Sequence, residues 1–252
     1  MPSTIVSEQT FGNRLERART LEVTIKKLAG FAPDNPALVP ATFTLFLDTV
    51  EAGNAAVAAA TQTLSDSRNA RRLAYFGDAK AGVAGLATLA ARVRDNVGSM
   101  PGGKKAPSYR EIQRLTQKIS NYHRPKKPVS VTPPGGPVAN KKEVSQSEAS
   151  YGSLVQAGRD LAAAAAKVPG YNPAAADLKP AALTAAMAAL ADHNKTVATA
   201  LVETQTAIAE RAELYEAEKT GLRSQFQQAK AAVASQFGRR SAEFKAISAI
   251  RY

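Results

Sequence analysis

Slid against itself by 140 residues, the chain matches from residue 7 to residue 98 without a gap. SEQTFG at 7–12 falls on SEASYG at 147–152, Arg19 and Leu21 on Arg159 and Leu161, and Gly30 and Pro33 on Gly170 and Pro173. Leu38, Pro40 and Ala41 fall on Leu178, Pro180 and Ala181. Asn54, Val57 and Ala58 meet Asn194, Val197 and Ala198, Arg71 and Tyr75 meet Arg211 and Tyr215, and Gly98 meets Gly238. Of these 92 positions 21 are identical and only four of the 21 are alanine pairs, so low complexity does not produce the match. Five extra residues in the first copy then move the offset to 135, where GKKAPSYREIQRL at 103–115 meets GRRSAEFKAISAI at 238–250. Self-similarity on this scale is the mark of a duplicated module, so whatever fold the chain adopts must be built twice.

The module reads as helical. Alanine is about a fifth of the chain and tryptophan is absent, a composition that favours helix over strand. Each copy opens with an amphipathic helix of about 20 residues, closed where Gly30 or Gly170 can turn left-handed. Pro33 and Pro173 restrict the loop that follows, while Pro40 and Pro180 suit the first turn of the next helix, whose leading amides lack partners anyway. Phe31 and Tyr171 read as plugs packed over the bundle end rather than as ligand contacts.

Beyond Pro40 and Pro180 nearly sixty residues pass without another proline. In the second copy Leu183, Met187, Leu190, Asn194, Val197, Leu201, Ile208, Tyr215, Leu222, Phe226, Val233 and Phe237 keep the spacing of a helix packed along one seam. One helix of that length would reach about 85 Å, beyond what the first helix can cover. The expectation is therefore a hairpin that turns near 66–70, in SDSRN, and near 206–210, with Gly77 and Asp78 as a weaker site. A short helix follows the basic pair. Ser108 and Glu111 stand at capping-box spacing, and Tyr109, Ile112, Leu115, Ile119 and Tyr122 line one face, as Phe244, Ile247 and Ile250 do in the second copy. The expected fold class is all-α, a tandem duplication of a four-helix unit with three long helices and one short. Residues 1–122 form the first repeat, 123–146 a basic Pro/Gly-rich linker, and 147–252 the second repeat.

The net charge of +12 is not spread evenly: residues 1–98, 99–145 and 146–252 carry +2, +8 and +2. Two readings fit the basic motif shared by the copies. Lys104 and Lys105, like Arg239 and Arg240, sit just past a long helix, where cations meet unpaired carbonyls and the glycine is the cap; this reading predicts both position and charge. The alternative is a polyanion site made by Lys104, Lys105, Arg110, Arg239, Arg240 and Lys245, enlarged by Arg124, Lys126, Lys127, Lys141 and Lys142 in the linker. Asn54 and Asn194 read as polar residues fixing helix register. Arg71 with Tyr75 and Arg211 with Tyr215, four apart, read as interhelical clusters together with Glu8 and Glu148.

Nothing in the chain spells out a reaction. Cysteine is absent, which removes thiol chemistry and suits a reducing compartment. His123 and His193 belong to no metal-binding pattern, and GDAKAGVAG at 77–85 lacks the Lys-Ser/Thr ending of a phosphate-cradling loop. The N-terminal residues do not have the layout of a signal peptide, and the most apolar run, at 161–168, is too short to cross a bilayer. The sequence thus points to a cytoplasmic, non-enzymatic helical scaffold, without cofactor or metal and with no membrane partner. A protein partner or self-association is expected, and nucleic acid or another polyanion is the alternative.

Overall fold

The computed structural model describes residues 8–78, 80–120 and 147–252, apart from the side chains of residues 8, 9 and 147–150. Among the described residues the protein is all-α: eight α-helices, three short 3₁₀ turns and one hairpin of two two-residue strands. Helix α1 spans Glu8–Lys26, α2 Pro40–Phe76, α3 Leu86–Gly98 and α4 Pro107–Ser120. The second half supplies α5 (Ser147–Ala166), α6 (Pro180–Glu216), α7 (Leu222–Phe237) and α8 (Ala242–Ser248). Strands β1 (Gly77–Asp78) and β2 (Val83–Ala84) pair antiparallel between α2 and α3. Both prolines expected to start a helix do so at the first position of α2 and α6, and Gly30 and Gly170 take φ of +75° and +74°.

The hairpin expected at 66–70 and 206–210 does not exist. Helices α2 and α6 each run 37 residues, about 55 Å, straight through these positions. Ser65, Asp66, Arg68 and Asn69 are polar but include neither glycine nor proline, and they lie on the exposed face while Val57, Leu64 and Arg71 keep a buried seam at intervals of seven. In α6 the seam passes through Val197, Ala200, Thr204 and Arg211, so Ile208, assigned to it by hydrophobicity, is 45% exposed. The turn comes instead at Gly77 after α2 and at Ala217–Gly221 after α6.

The chain forms two compact units, and neither is one half of the sequence. Unit 1 comprises Met1–Leu64 and Ala200–Tyr252; its core joins Leu21, Ile25, Phe43, Leu47 and Val50 to Tyr215, Leu222, Phe226, Val233 and Ile247. Unit 2 comprises Ser65–Thr199; its core joins Tyr75, Leu86, Val93, Val97, Ile112 and Leu115 to Leu154, Leu161, Leu183, Met187 and Leu190. In unit 1 α2 meets α6 at Asn54–Tyr215 and Ala60–Thr204, and in unit 2 at Tyr75–Asn194, so within each unit the long helix of one half has a partner in the long helix of the other.

Two further corrections concern register. Past residue 76 element starts and burial line up at an offset of 136, not 140: Gly85 and Gly221 precede α3 and α7, and buried Leu86, Ala90, Val93 and Val97 fall on buried Leu222, Phe226, Ala229 and Val233. At that offset Gly98 does not fall on Gly238. Four of the five extra residues lie in the β1–β2 hairpin and one ahead of Lys104. Ser108 also does not cap α4, which begins at Pro107. The cap stands at the position of Ala106, occupied in the second half by Ser241, whose hydroxyl accepts from the Phe244 amide at 3.0 Å.

Gly12 and Gly152 lie inside α1 and α5, exposed, with nothing within 4 Å of where a Cβ would stand. Glycine there costs helix stability with no packing return, so Gly12→Ala and Gly152→Ala should each raise the unfolding free energy by about 0.5–1 kcal/mol in a urea titration.

Candidate functional site

The residues kept at an offset of 140 assemble into the same cluster in each unit. In unit 1 Asn54 Nδ2 donates to the Tyr215 hydroxyl at 2.8 Å, and that hydroxyl donates to the Phe11 carbonyl at 3.0 Å. The Tyr215 and Phe11 rings meet edge to face with centroids 4.8 Å apart, and the Arg211 guanidinium lies 4.1 Å from the Phe11 centroid. In unit 2 Asn194 Nδ2 donates to the Tyr75 hydroxyl at 2.8 Å, which is shared between the carbonyls of Tyr151 (3.2 Å) and Leu190 (3.4 Å). The Tyr75 and Tyr151 rings again meet edge to face at 4.8 Å, with Arg71 4.0 Å from the Tyr151 centroid.

The chemistry of these clusters is that of a clamp. Arg71 and Arg211 are 7% and 4% exposed, and a desolvated guanidinium over an aromatic face gains about 2 kcal/mol. Burial pushes the Tyr75 phenol up to about 12, against the lowering effect of the Asn194 hydrogen bond, so the hydroxyl stays a donor at ordinary pH. Arginine is a poor proton-transfer group, so the clusters join helices rather than move protons. The Glu8 and Glu148 side chains, expected in the clusters, lie outside the described residues. A separate ionic group stands in unit 1 alone. Burial would raise the Glu22 carboxyl, but hydrogen bonds from Lys26 (2.7 Å), Thr44 (2.6 Å) and Arg19 (3.2 Å) hold it below the usual range. Positions 162 and 166 are alanine, so this network is not shared.

Each basic motif places a cationic turn just after a helix end. Gly238 closes α7 with φ of +87° and donates its amide to the Ala234 carbonyl; Gly102, at φ of +90°, precedes the 3₁₀ turn Gly103–Lys105. Lys104, Lys105 and Arg110 in unit 2, and Arg239, Arg240 and Lys245 in unit 1, are exposed. Among the described residues none of these six side chains forms an ion pair or reaches a helix carbonyl: α7 is closed by Gly238 and α3 by Ser99, not by the glycine expected there, and neither cap involves the cations. Arg124, Lys126, Lys127, Lys141 and Lys142 lie outside the described residues, as do His123 and Tyr122.

Each unit also carries an open groove. That of unit 1, about 390 Å³, is lined by Phe46, Leu214, Ala217, Gln225, Glu210 and Glu213. That of unit 2, about 270 Å³, is mostly Ala, Leu and Met, with the Arg92–Asp177 ion pair and His193 among its walls. Among the described residues no three His, Asp or Glu side chains converge as metal ligands, and no helix is long and apolar enough to cross a membrane. Phe31 and Tyr171 pack against the cores of their units, the Tyr171 hydroxyl donating to the Leu178 carbonyl at 2.9 Å. No family model, curated protein or solved structure matches the chain.

Proposed function

We propose that the protein is a non-enzymatic helical scaffold of the cytoplasm, built by tandem duplication of a four-helix unit and acting through surfaces presented to a protein partner or to another copy of itself. One observation carries this reading: the polar residues kept in both halves, Asn54/Asn194, Arg71/Arg211 and Tyr75/Tyr215, are spent inside the cores on joining helices. Equal lengths of 37 residues for α2 and α6, and matched burial along α3 and α7, support the duplication. Residues 1–122 and 147–252 are then the repeats and 123–146 the link between them, which keeps one bound surface close to the next. On this reading titration with random DNA and RNA shows weak binding at most, even at low salt.

A second reading rests on the six exposed cations free of ion pairs, at the same place in both halves. These would contact phosphates, with the linker cations adding to the field. If all six engage duplex DNA, log K falls against log salt with a slope of about −5. Fluorescence anisotropy across a salt series separates the two. Tight binding with that slope, abolished by neutralising Lys104, Lys105, Arg239 and Arg240 with the linker lysines, would replace the scaffold reading by a nucleic-acid one.

A further inference from the structure

In both units the groups that meet across the core come from opposite halves of the sequence. Asn54 and Phe11 meet Tyr215 and Arg211 in unit 1, while Asn194 and Tyr151 meet Tyr75 and Arg71 in unit 2. The contact list is reciprocal: the first half gives asparagine and ring to one cluster and arginine and tyrosine to the other, and the second half does the converse. Such reciprocity is what a twofold dimer interface produces, where residue i meets j and j meets i. The Thr204 hydroxyl adds a backbone approach, shared between the carbonyls of Ala200 (2.7 Å) and Ala60 of the other half (3.1 Å). Residues 1–122 own part of each hydrophobic core and the whole of neither, as do residues 147–252.

We infer that the face of each half formed along its long helix is a docking surface whose fitted partner is the other half, so that the chain is a linked pair of mutually completing subunits. An interface that is a core cut in two belongs to the obligate kind. The covalent link through 123–146 raises the local concentration of the second half but is not what holds the halves together. The likeness of the two subunits rests on the duplication proposed above; their mutual docking does not.

The test uses the full chain with a protease site inserted within 123–146, and exploits the absence of native cysteine. After cleavage the two fragments should elute together at low micromolar concentration, as one particle near the 26.5 kDa of the intact chain. With Ala60→Cys and Thr204→Cys added, oxidation before cleavage should leave the fragments joined on a non-reducing denaturing gel as a species of one chain's mass. Fragments that separate while each stays helical by circular dichroism overturn the inference, and so does a disulfide joining two chains. Neither readout depends on nucleic acid, so a steep salt-dependent titration would displace the scaffold reading and leave this one standing.

Discussion

Tyr215→Ala is expected to lower the unfolding free energy by about 4 kcal/mol, and Tyr75→Ala by a similar amount. Both rings are among the largest fully buried side chains, at 0% and 1% exposure, so truncation leaves a cavity with no access to solvent. The loss has two parts that separate by substitution. Tyr→Phe keeps the ring against Phe11 or Tyr151 and removes only the hydroxyl, which strands the asparagine donor and a backbone carbonyl, for about 1–2 kcal/mol. The remainder is packing and the cavity. In a chain of this length a loss near 4 kcal/mol corresponds to a fall in Tm on the order of 10 °C. Urea denaturation followed by far-ultraviolet circular dichroism measures both substitutions. A change below 1 kcal/mol for both alanine variants would mean that the clusters do not join the helices that meet there.

The Arg and Tyr of each cluster were legible in the chain as a pair; that the asparagines and the rings of Phe11 and Tyr151 join them, and from which half, was not. Asn54, Arg71 and Tyr75 stand out because both halves keep them and because Arg and Tyr four apart share a helix face. A comparison of the halves pairs each residue with its counterpart, Asn54 with Asn194, and is silent on which half supplies the group it touches. That silence also produced the misplaced hairpin. With only α1 as a partner a longer helix looks unsupported, whereas packing against the other half's long helix supports 37 residues, and the polar stretch at 65–69 is simply a solvated face. Hydrophobicity misled at Ile208 for a related reason: Thr204 and Arg211 take the seam because each finds a specific partner there, an effect no periodicity count contains. The caps were half legible, since Gly238 does close α7 at a positive φ while α3 ends on Ser99, and the exposed cations beyond both helices make no hydrogen bond to the carbonyls they were expected to meet.

Gly85→Ala and Gly221→Ala are expected to destabilise the protein by about 2–3 kcal/mol each, although neither glycine has an unusual backbone conformation. Gly85 sits at φ −91°, ψ 177° and Gly221 at φ −69°, ψ 160°, extended values that any residue adopts. Their constraint is proximity. A Cβ on Gly85 would stand 2.4 Å from the Phe76 carbonyl carbon, 2.5 Å from the Gly77 nitrogen and 2.7 Å from the Tyr75 oxygen. On Gly221 it would stand 2.5 Å from the Ala217 nitrogen and 2.7 Å from the Ala217 oxygen. These are main-chain atoms that no rotamer change can move, so the end of the long helix must shift away from the start of the next one. The shift acts on the cluster directly, because Tyr75 is one of the residues displaced and the long helix carrying Tyr215 ends beside Gly221. Ordinary capping preference argues the other way, since both glycines occupy N-cap positions where Ser or Asp would normally stabilise a helix. Serine at either site should therefore also destabilise, with the urea midpoint falling and the m-value unchanged, opposite in sign to the gain expected from Gly12→Ala and Gly152→Ala. A midpoint that held or rose on Gly85→Ser and Gly221→Ser would show that the turn yields freely and that the two glycines match by chance.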